Sequence, residues 1–495
     1  MSSFAHRPFT SDTVKPYLAL TLIWFFVSLF FLSFGPVRPS VGFPLDDTWI
    51  HFDFARNVAA GNGFGLNPHE SSSGSTSPLW VLLLAGFFRL GIPFEFSAVV
   101  LGGFFLLLTI FFVYKTALQI TSDSSCAFFS SVLVLFCGRF LWGSYSGMEI
   151  TLFSFLSILG IYLHLKNLPR GAFSLWPGLV FGLASLARPE GHLLFVLAVA
   201  DLVYQSFRLR KKAAGWVAGY VLIYAACVLP YMIFSWFLTH KLFCSSYYSK
   251  MVFSWHLHPR PYLKGYFKML LMDNPLLFVF IAPGLVASFV RRSYLPVAWL
   301  VLYPLAATVV SPILLHFGRY QMPLVPLYIM MGWIGIKSMV GRRWQPVVLA
   351  LVLVWGAFHV VSWADRYSRD VLSFHRQHFL VAEWLRKHAD PDAAVATNDI
   401  GVLSYASGRN IVDLCGIINP DILQKVLVCP DLKERRHRMW RYLSGHGARY
   451  LAFYRSWFPW LYEDKCLVKV YEIRNPQNTA AACDTMEVFK ILCNG

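Results

Sequence analysis

Residues 97–119 read SAVVLGGFFLLLTIFFVYKTALQ, and Lys115 is the only charged residue among them. A helix needs about 20 mostly apolar residues to cross the hydrocarbon core of a bilayer, with a range of roughly 17 to 25. The stretch therefore predicts a membrane-spanning helix. The whole chain shares this character, since its 495 residues are 56% hydrophobic, 17% aromatic and only 14% charged, with a mean hydropathy of +0.52. Ordinary soluble domains do not have this composition.

Ten other runs of similar length and composition accompany the first, and together they predict a polytopic helical membrane protein. The eleven predicted spans are 17–36, 97–119, 125–142, 148–165, 172–187, 190–207, 214–238, 274–290, 294–315, 320–339 and 345–363. A further apolar run at 78–90 is short for a span. We predict that it is a helix lying in the membrane interface.

The basic residues predict how the chain is oriented. The net charge of +17 would suggest nucleic acid in a soluble protein, but here Lys and Arg form short clusters between apolar runs, such as those at 208–212, 291–292 and 342–343. Clusters of this kind mark cytoplasmic loops, so nucleic acid is not an expected partner. If the run at 78–90 does not cross, every basic cluster is cytoplasmic. The expected outer segments are then 37–96, 143–147, 188–189, 239–273, 316–319 and the tail from 364.

The tail has a different pattern from the first 363 residues. Its apolar runs have the length of strands, and they alternate with helical patterns such as HFLVAEWLRKH. The five runs are AAVATND, NIVDL, RYLAFY, CLVKVYEI and MEVFKIL. We predict two domains, a transmembrane domain at 1–363 and an extracytoplasmic α/β domain at 364–495. Disulfides are allowed there, and their pairing stays open among five cysteines: Cys415, Cys429, Cys466, Cys483 and Cys493.

The first outer loop carries a pair of adjacent carboxylates. Residues 46–80 read DDTWIHFDFARNVAAGNGFGLNPHESSSGSTSPLW, with Asp46 and Asp47 at the start of a predicted helix. Carboxylates so placed can take a proton from an acceptor hydroxyl or hold the acceptor in place, and they could also bind a divalent metal. The alternative is an N-cap with a first-turn acid that stabilises the helix.

Other ionisable residues gather at the outer ends of the spans. The candidates are Glu149, Arg188, Glu190, Lys250 and Arg319, with His51, Tyr248 and His316 beside them. Each one alone could be an interfacial anchor. Together, acids could serve the acceptor while Lys and Arg neutralise a phosphate leaving group, which suits glycosyl transfer. We find no Walker or GxGxxG motif for a nucleotide. A polyprenyl chain would hold a phosphate-linked donor in the bilayer beside the site.

A set of motifs in fixed order resembles a known family. DDTWIHFDFARN, GNGFGLNP, GSTSPLW, SGMEITLF, ARPEG, SSYYSK and GRYQMPLVP resemble polyprenyl-phosphate-sugar glycosyltransferases of the GT-C fold, in particular the group of mycobacterial terminal arabinofuranosyltransferases. The tail segment TNDIGVLSYASGRNIVDLCGIINPDI is similar to the soluble domain of that group. The resemblance implies that Asp46 and Asp47 include the catalytic carboxylate, that Glu149 is the second-loop acid, and that Lys250 and Arg319 contact the donor phosphate.

The resemblance also implies a bacterial inner-membrane enzyme whose donor is a polyprenyl-phosphate-linked sugar. SSYYSK departs from the Asn-Thr-Phe-Tyr-Ala-Lys that often stands there in the family, so the donor sugar stays open. The acceptor stays open too, as glycan, lipid or protein. The main alternative is a transporter or flippase for lipid-linked saccharides, which would place ionisable groups near mid-membrane; Asp201 is a candidate for such a group. A membrane-anchored binding protein would leave the charged outer loops without a role.

Overall fold

The computed structural model describes residues 11–35, 42–167, 174–208, 214–254, 259–462 and 464–492. The helices of the first part are α1 (Ser11–Ser33), α2 (Asp46–Ala60), α3 (Pro78–Arg89), α4 (Phe94–Thr121), α5 (Ser124–Leu135), α6 (Gly138–Ser144), α7 (Ile150–Asn167), α8 (Trp176–Ala187), α9 (Gly191–Arg208), α10 (Ala214–Thr239) and α11 (Ser245–Ser254). Next come α12 (Pro259–Asp273), α13 (Pro275–Val290), α14 (Tyr294–Val310), a short turn α15 (Leu315–Gly318), α16 (Val325–Met339) and α17 (Gln345–Phe374).

Each of the eleven predicted spans coincides with helical structure, although not every helix is long enough to cross a membrane alone. Within the described ranges, six segments have the length and apolar composition of a span, and there are up to eight if each of two bent pairs, α5–α6 and α12–α13, is one span. The six are Val14–Ser33, Phe94–Thr121, Ile150–Asn167, Ala214–Thr239, Leu315–Met339 and Gln345–His388. The short apolar helices are α3, α8 and α14. The sidedness of the loops stays a prediction. Residues 209–212 of the basic cluster at 208–212, and Cys493, lie outside the described residues.

Two broken helices are joined at their breaks by a buried ion pair. Helices α5 and α6 bend by 67°, and α12 and α13 bend by 110°. Arg139 follows the first break, and its Nε donates to Asp273 Oδ1 over 2.8 Å at the second. Both side chains are more than nine-tenths buried. Removing one partner from such a pair leaves an uncompensated buried charge, which costs about 3–5 kcal/mol. The pair therefore fixes both bends together.

The C-terminal region contains the small α/β structure predicted from the sequence. Strands β1 (Ala394–Thr397), β2 (Ile411–Asp413), β3 (Ala448–Phe453), β4 (Leu467–Arg474) and β5 (Thr485–Ile491) form one sheet in the order β2-β1-β3-β5-β4. Strand β1 runs parallel to β2 and β3, while β5 is antiparallel to β3 and β4. The helices here are α18 (Leu380–His388), α19 (Ile400–Ser407), α20 (Leu432–Gly445) and a short α21 (Pro459–Tyr462). Cys466 is in a disulfide, whereas Cys415, Cys429 and Cys483 are free thiols.

The segment between α1 and α4 packs on the C-terminal region. In α2, Trp49 lies with its ring centroid 5.0 Å from Phe379 and 4.9 Å from Tyr405. The side chain of Asn67 donates to the carbonyl of Ile411 and accepts from its N–H. Helix α17 continues past residue 363 to Phe374, so a single helix crosses the predicted domain boundary. The two regions are thus joined by a helix, by aromatic packing and by hydrogen bonds.

Candidate functional site

A pocket of about 280 Å³ lies at one end of the helical bundle. Six of the residues predicted from the sequence line it: Asp47, Glu149, Arg188, Glu190, Lys250 and Arg319. They come from five separate segments of the chain and meet there. Another part of the lining is apolar, with Leu193, Met251, Ala306, Ala307 and Val310. The pocket therefore combines charged groups with apolar surface suited to a hydrocarbon chain.

Asp47 forms an ion pair with Arg319 across the pocket. The Asp47 side chain is 30% exposed and that of Arg319 only 7%, so the carboxylate is the accessible member. Burial opposes ionisation, but the charges of Arg319 and Lys250 outweigh it and hold the pKa of Asp47 well below its usual range. Asp47 is therefore a carboxylate, ready to accept a hydrogen bond from a hydroxyl.

Asp46 lies on the other side of α2 and does not line the pocket. Adjacent residues of a helix are turned by about 100°, and this turn directs Asp46 to the C-terminal region. Its two oxygens accept from the backbone N–H groups of Gly401 and Val402, each over 2.8 Å, at the first turn of α19. Burial and the nearby Asp399 raise the pKa of Asp46 to about 7. A Cβ on Gly401 would lie 2.1 Å from the Asp46 carbonyl oxygen, so only glycine allows this approach.

The expected helix cap is also absent from α2. The N-cap position is Leu45, which makes no side-chain capping bond. Asp46 thus accepts hydrogen bonds from the backbone N–H groups in the first turn of α19 and does not cap its own helix. The helix ends at Gly61, whose φ of 79° is left-handed.

Arg188 lies between two acids. Its Nη1 donates to Glu149 over 3.0 Å, and its Nη2 donates to Glu190 over 2.8 Å. His51 Nε2 lies 3.4 Å from the second oxygen of Glu149. This arrangement neutralises Arg188 and leaves it less free than other cations to bind an incoming anion.

Glu149 is placed by the turn before α7. Thr48 of α2 donates from its hydroxyl to the Ser146 carbonyl over 2.7 Å. Gly147 follows with a φ of 79°, and a Cβ there would lie 2.3 Å from Thr48. The sequence SGMEITLF therefore needs its glycine to fit closely against α2. The same helix that carries Asp47 thus sets the position of Glu149.

Lys250 is the cation of the pocket with no carboxylate partner within 4 Å among the described residues. Its Nζ lies 5.2 Å from the ring centroid of Tyr320. Burial would lower its pKa, but Tyr320 and Asp47 outweigh this and raise the pKa of Lys250, which keeps it charged. Ser245 and Ser249 of the same helix donate to the carbonyls of Ile417 and Cys415, each over 2.7 Å. The serines of SSYYSK therefore dock α11 on the C-terminal region and present Lys250 to the pocket.

Tyr320 is a pocket residue that the sequence analysis did not select. Arg319 Nη2 donates to its hydroxyl over 3.0 Å. The guanidinium carbons of Arg188 and Arg319 lie 5.2 and 5.0 Å from its ring centroid. Its carbonyl accepts from Tyr303, which the sequence analysis did not select either. The sequence feature that could have identified Tyr320 is its position in GRYQMPLVP, directly after Arg319.

The other three candidates do not line the pocket. His51 supports it through Glu149. Tyr248 lies under Lys241, whose Nζ is 4.6 Å from the ring centroid. His316 lies three residues before Arg319, with a left-handed φ of 49°.

The described residues do not fit a metal at the acidic pair, because Asp46 is bound to α19 and Asp47 to Arg319. A group with metal-like spacing elsewhere, within the described ranges, is Cys137, Asp273 and His359. Arg139 contacts both Asp273 oxygens, and the His359 ring nitrogens contact the Gly138 N–H and the Trp363 indole. Asp273 and His359 are thus already engaged in contacts within the protein, so we derive no step through a metal.

Comparison with known proteins places this geometry in context. No curated protein matches the sequence. A family model described as a domain of unknown function (DUF8728) matches residues 368–489. ArnT from Cupriavidus metallidurans, solved with bound undecaprenyl phosphate, is similar with a TM-score of 0.62 at 13% identity, over 97% of this chain and 98% of that one. The chain has the GT-C fold.

Two further GT-C structures extend the similarity. The oligosaccharyltransferase AglB from Archaeoglobus fulgidus, in complex with an inhibitory peptide and a dolichol-phosphate, has a TM-score of 0.59 at 13% identity, over 96% of this chain and 75% of that one. The mycobacterial arabinofuranosyltransferase AftD gives 0.52 at 12% identity, over 97% of this chain and 42% of that one. The predicted fold, a GT-C-like helical membrane protein with a C-terminal α/β region, is confirmed.

Proposed function

We propose that the chain is a membrane glycosyltransferase that takes a sugar from a polyprenyl phosphate on the outer face of the bacterial cytoplasmic membrane. The observation that carries this proposal is the pairing of an accessible carboxylate, Asp47, with a charged Lys250 that has no acid partner among the described residues, in one pocket with an apolar wall. The solved relative ArnT is bound to undecaprenyl phosphate, and AglB to a dolichol-phosphate. These are lipids that the charged and apolar walls would accommodate together.

The proposed chemistry follows from the positions of these groups. The acceptor hydroxyl donates to Asp47 and passes its proton there as its oxygen bonds to the anomeric carbon. The bond from that carbon to the phosphate oxygen breaks, and its electron pair leaves with the polyprenyl phosphate. Lys250 and Arg319 stabilise the charge that grows on this leaving group, and fixed cations do so more strongly in the transition state than in the ground state.

The low pKa of Asp47 limits its strength as a base. An acidic carboxylate gains a proton only as the hydroxyl itself becomes acidic during attack. When a donor phosphate competes for Arg319, the ion pair on Asp47 weakens and its basicity rises. Binding of the donor would thus prepare the base, which favours an ordered reaction in which the lipid binds first.

The transporter alternative gains no support from Asp201. Its carboxylate lies 3.0 Å from His164 Nε2, inside the bundle, and it is not among the residues lining the pocket. A buried acid held by a histidine fits a structural pair, and the proposal therefore stays with the enzyme.

The first experiment measures sugar transfer from a synthetic polyprenyl-phosphate sugar to membrane extracts by the purified chain. Transfer by the wild type and its loss in Lys250→Ala, with normal folding, would support the proposal. Movement of intact donor across vesicle membranes without transfer would favour the transporter. Labelling of cysteines introduced at the exposed Ser444 and Arg343 with an impermeant reagent tests the sidedness, and only Ser444→Cys should react in intact cells.

A further inference from the structure

A second cavity, of about 610 Å³, lies on the C-terminal side of the first outer loop. Its walls are formed by the loop at 66–73, the end of α10 with the residues after it at 238–241, and the C-terminal region around β2 and α20. Small-molecule sites commonly measure about 300–1,000 Å³ and form between elements in this way. The cavity is separate from the pocket of Asp47, because the two share no lining residue.

Hydroxyl, amide and carboxyl groups dominate this cavity. The polar lining residues include Asn67, Glu70, Ser71, Lys241, Asn419 and His446, and Tyr442 adds an aromatic ring. Ser73 is fully buried, and its hydroxyl has no hydrogen-bond partner among the described residues. That hydroxyl is closed to a ligand, whereas Glu70, Ser71, Asp421 and His446 are exposed in the lining and offer carboxylate, hydroxyl and imidazole groups.

The charges of the lining disfavour an acidic ligand, although Asp421 is already paired with Lys425 of the C-terminal region. The described lining contains three acidic residues, Glu70, Asp413 and Asp421, and one lysine, Lys241, with no arginine. An anion would meet more negative than positive charge. A neutral molecule rich in hydroxyl groups matches the lining, because it can donate to the acids and accept from the amides and from Lys241.

A short, fixed segment of the chain lies between the two cavities and contributes a residue to each. Ser73 lines the second cavity and Thr76 lines the first. Three residues span at most about 11 Å even when fully extended. Tyr231 donates to the Ser75 carbonyl over 2.7 Å, and Ser245 N–H donates to the Ser73 carbonyl over 3.2 Å, so the segment is held at both ends. A short oligosaccharide covers such a distance.

We infer that the second cavity binds the inner sugar units of an uncharged glycan acceptor whose terminal unit reaches Asp47. The inference rests on the proposed function and adds the class of acceptor, a glycan chain. A single sugar would occupy only the first pocket and would bind weakly. The chain should therefore prefer acceptors of several units.

The test uses the purified full chain on an array of neutral and acidic oligosaccharides that range from single sugars to chains of several units. Ser71 is exposed and lines the cavity, so Ser71→Trp fills it. Ser444→Trp, exposed on α20 and outside the lining, is the matched control. His446→Ala removes a lining group without adding bulk and serves if Ser71→Trp does not fold.

We expect the wild type and Ser444→Trp to bind neutral chains, and Ser71→Trp and His446→Ala to lose affinity by about tenfold. Equal binding by all four proteins, no binding of neutral chains, or a preference for acidic chains would each overturn the inference. Binding of undecaprenyl phosphate is measured in parallel. If Lys250→Ala fails to weaken it, the proposed function is wrong; if only glycan binding is absent, the glycan inference alone is wrong.

Discussion

The two neighbouring aspartates should fail in different ways when each is changed. In Asp46→Ala, the N–H groups of Gly401 and Val402 lose their acceptor. Each partly buried donor left unsatisfied costs about 1–3 kcal/mol, so the loss of stability is about 2–6 kcal/mol. Asp46→Asn keeps one acceptor oxygen and should cost about half as much. Asp47→Asn keeps an acceptor oxygen for Arg319, and the lost charge lies on a side chain that is 30% exposed. The variant should lower the rate of transfer by about 10² to 10⁴-fold and lose less stability than Asp46→Ala.

Thermal unfolding of each purified variant in detergent and the rate of sugar transfer at a temperature where all are folded separate the two roles. Asp392→Asn, an exposed acid of the C-terminal region, controls for the change in charge. The reasoning is refuted if Asp46→Asn abolishes transfer while its melting temperature is unchanged, because Asp46 would then act on the substrate. It is equally refuted if Asp47→Asn is fully active.

Substitutions at four other residues test the pocket and its support. Arg319→Lys keeps the charge but loses the forked geometry that can hold two phosphate oxygens, so turnover should fall, while Lys250→Arg should be milder than Lys250→Ala; donor titrations of the initial rate measure both. Tyr320→Phe removes a hydrogen bond to Arg319, and kcat/KM should drop by about tenfold or less, on the order of one such bond; an unchanged value would make the hydroxyl irrelevant. Burial raises the pKa of Asp53 from 3.8 to about 7. Between these two pH values the folded protein holds a proton on Asp53 that the unfolded chain releases. The stability of the wild type therefore falls as pH rises through this range. Asp53→Asn should therefore raise the melting temperature more above that range than within it, and an equal shift at both would contradict the prediction.

The sequence predicted the helices and strands well, because each is encoded locally. Apolar runs of about 20 residues located the spans, and the alternation in the tail located the five strands of the described sheet. The bends were not predicted, since a run such as 125–142 reads as one apolar segment. The break there depends on Arg139 reaching Asp273, 134 positions away.

The candidate site was predicted only as a set of residues. Charge at the outer span ends identified six of the pocket residues, but no local pattern indicates which acid meets which base. Asp46 and Asp47 are equivalent in the sequence, and they differ because Asp46 meets Gly401, 355 positions away. Tyr320 was not selected because an aromatic residue beside an arginine is common in a membrane protein, and only the fold surrounds it with three cations.

The C-terminal region acts on the pocket through two helices that each face both ways. In α2, Asp46 accepts a hydrogen bond from α19 while Asp47 lines the pocket. In α11, Ser249 donates to the Cys415 carbonyl while Lys250 lines the pocket. The carboxylate and the cation are therefore each one residue away from an anchor in the C-terminal region. A shift of that region would move both groups at once. This arrangement holds the Asp47 carboxylate and the Lys250 ammonium group in place relative to each other, although both lie on short helices between the long apolar helices of the bundle.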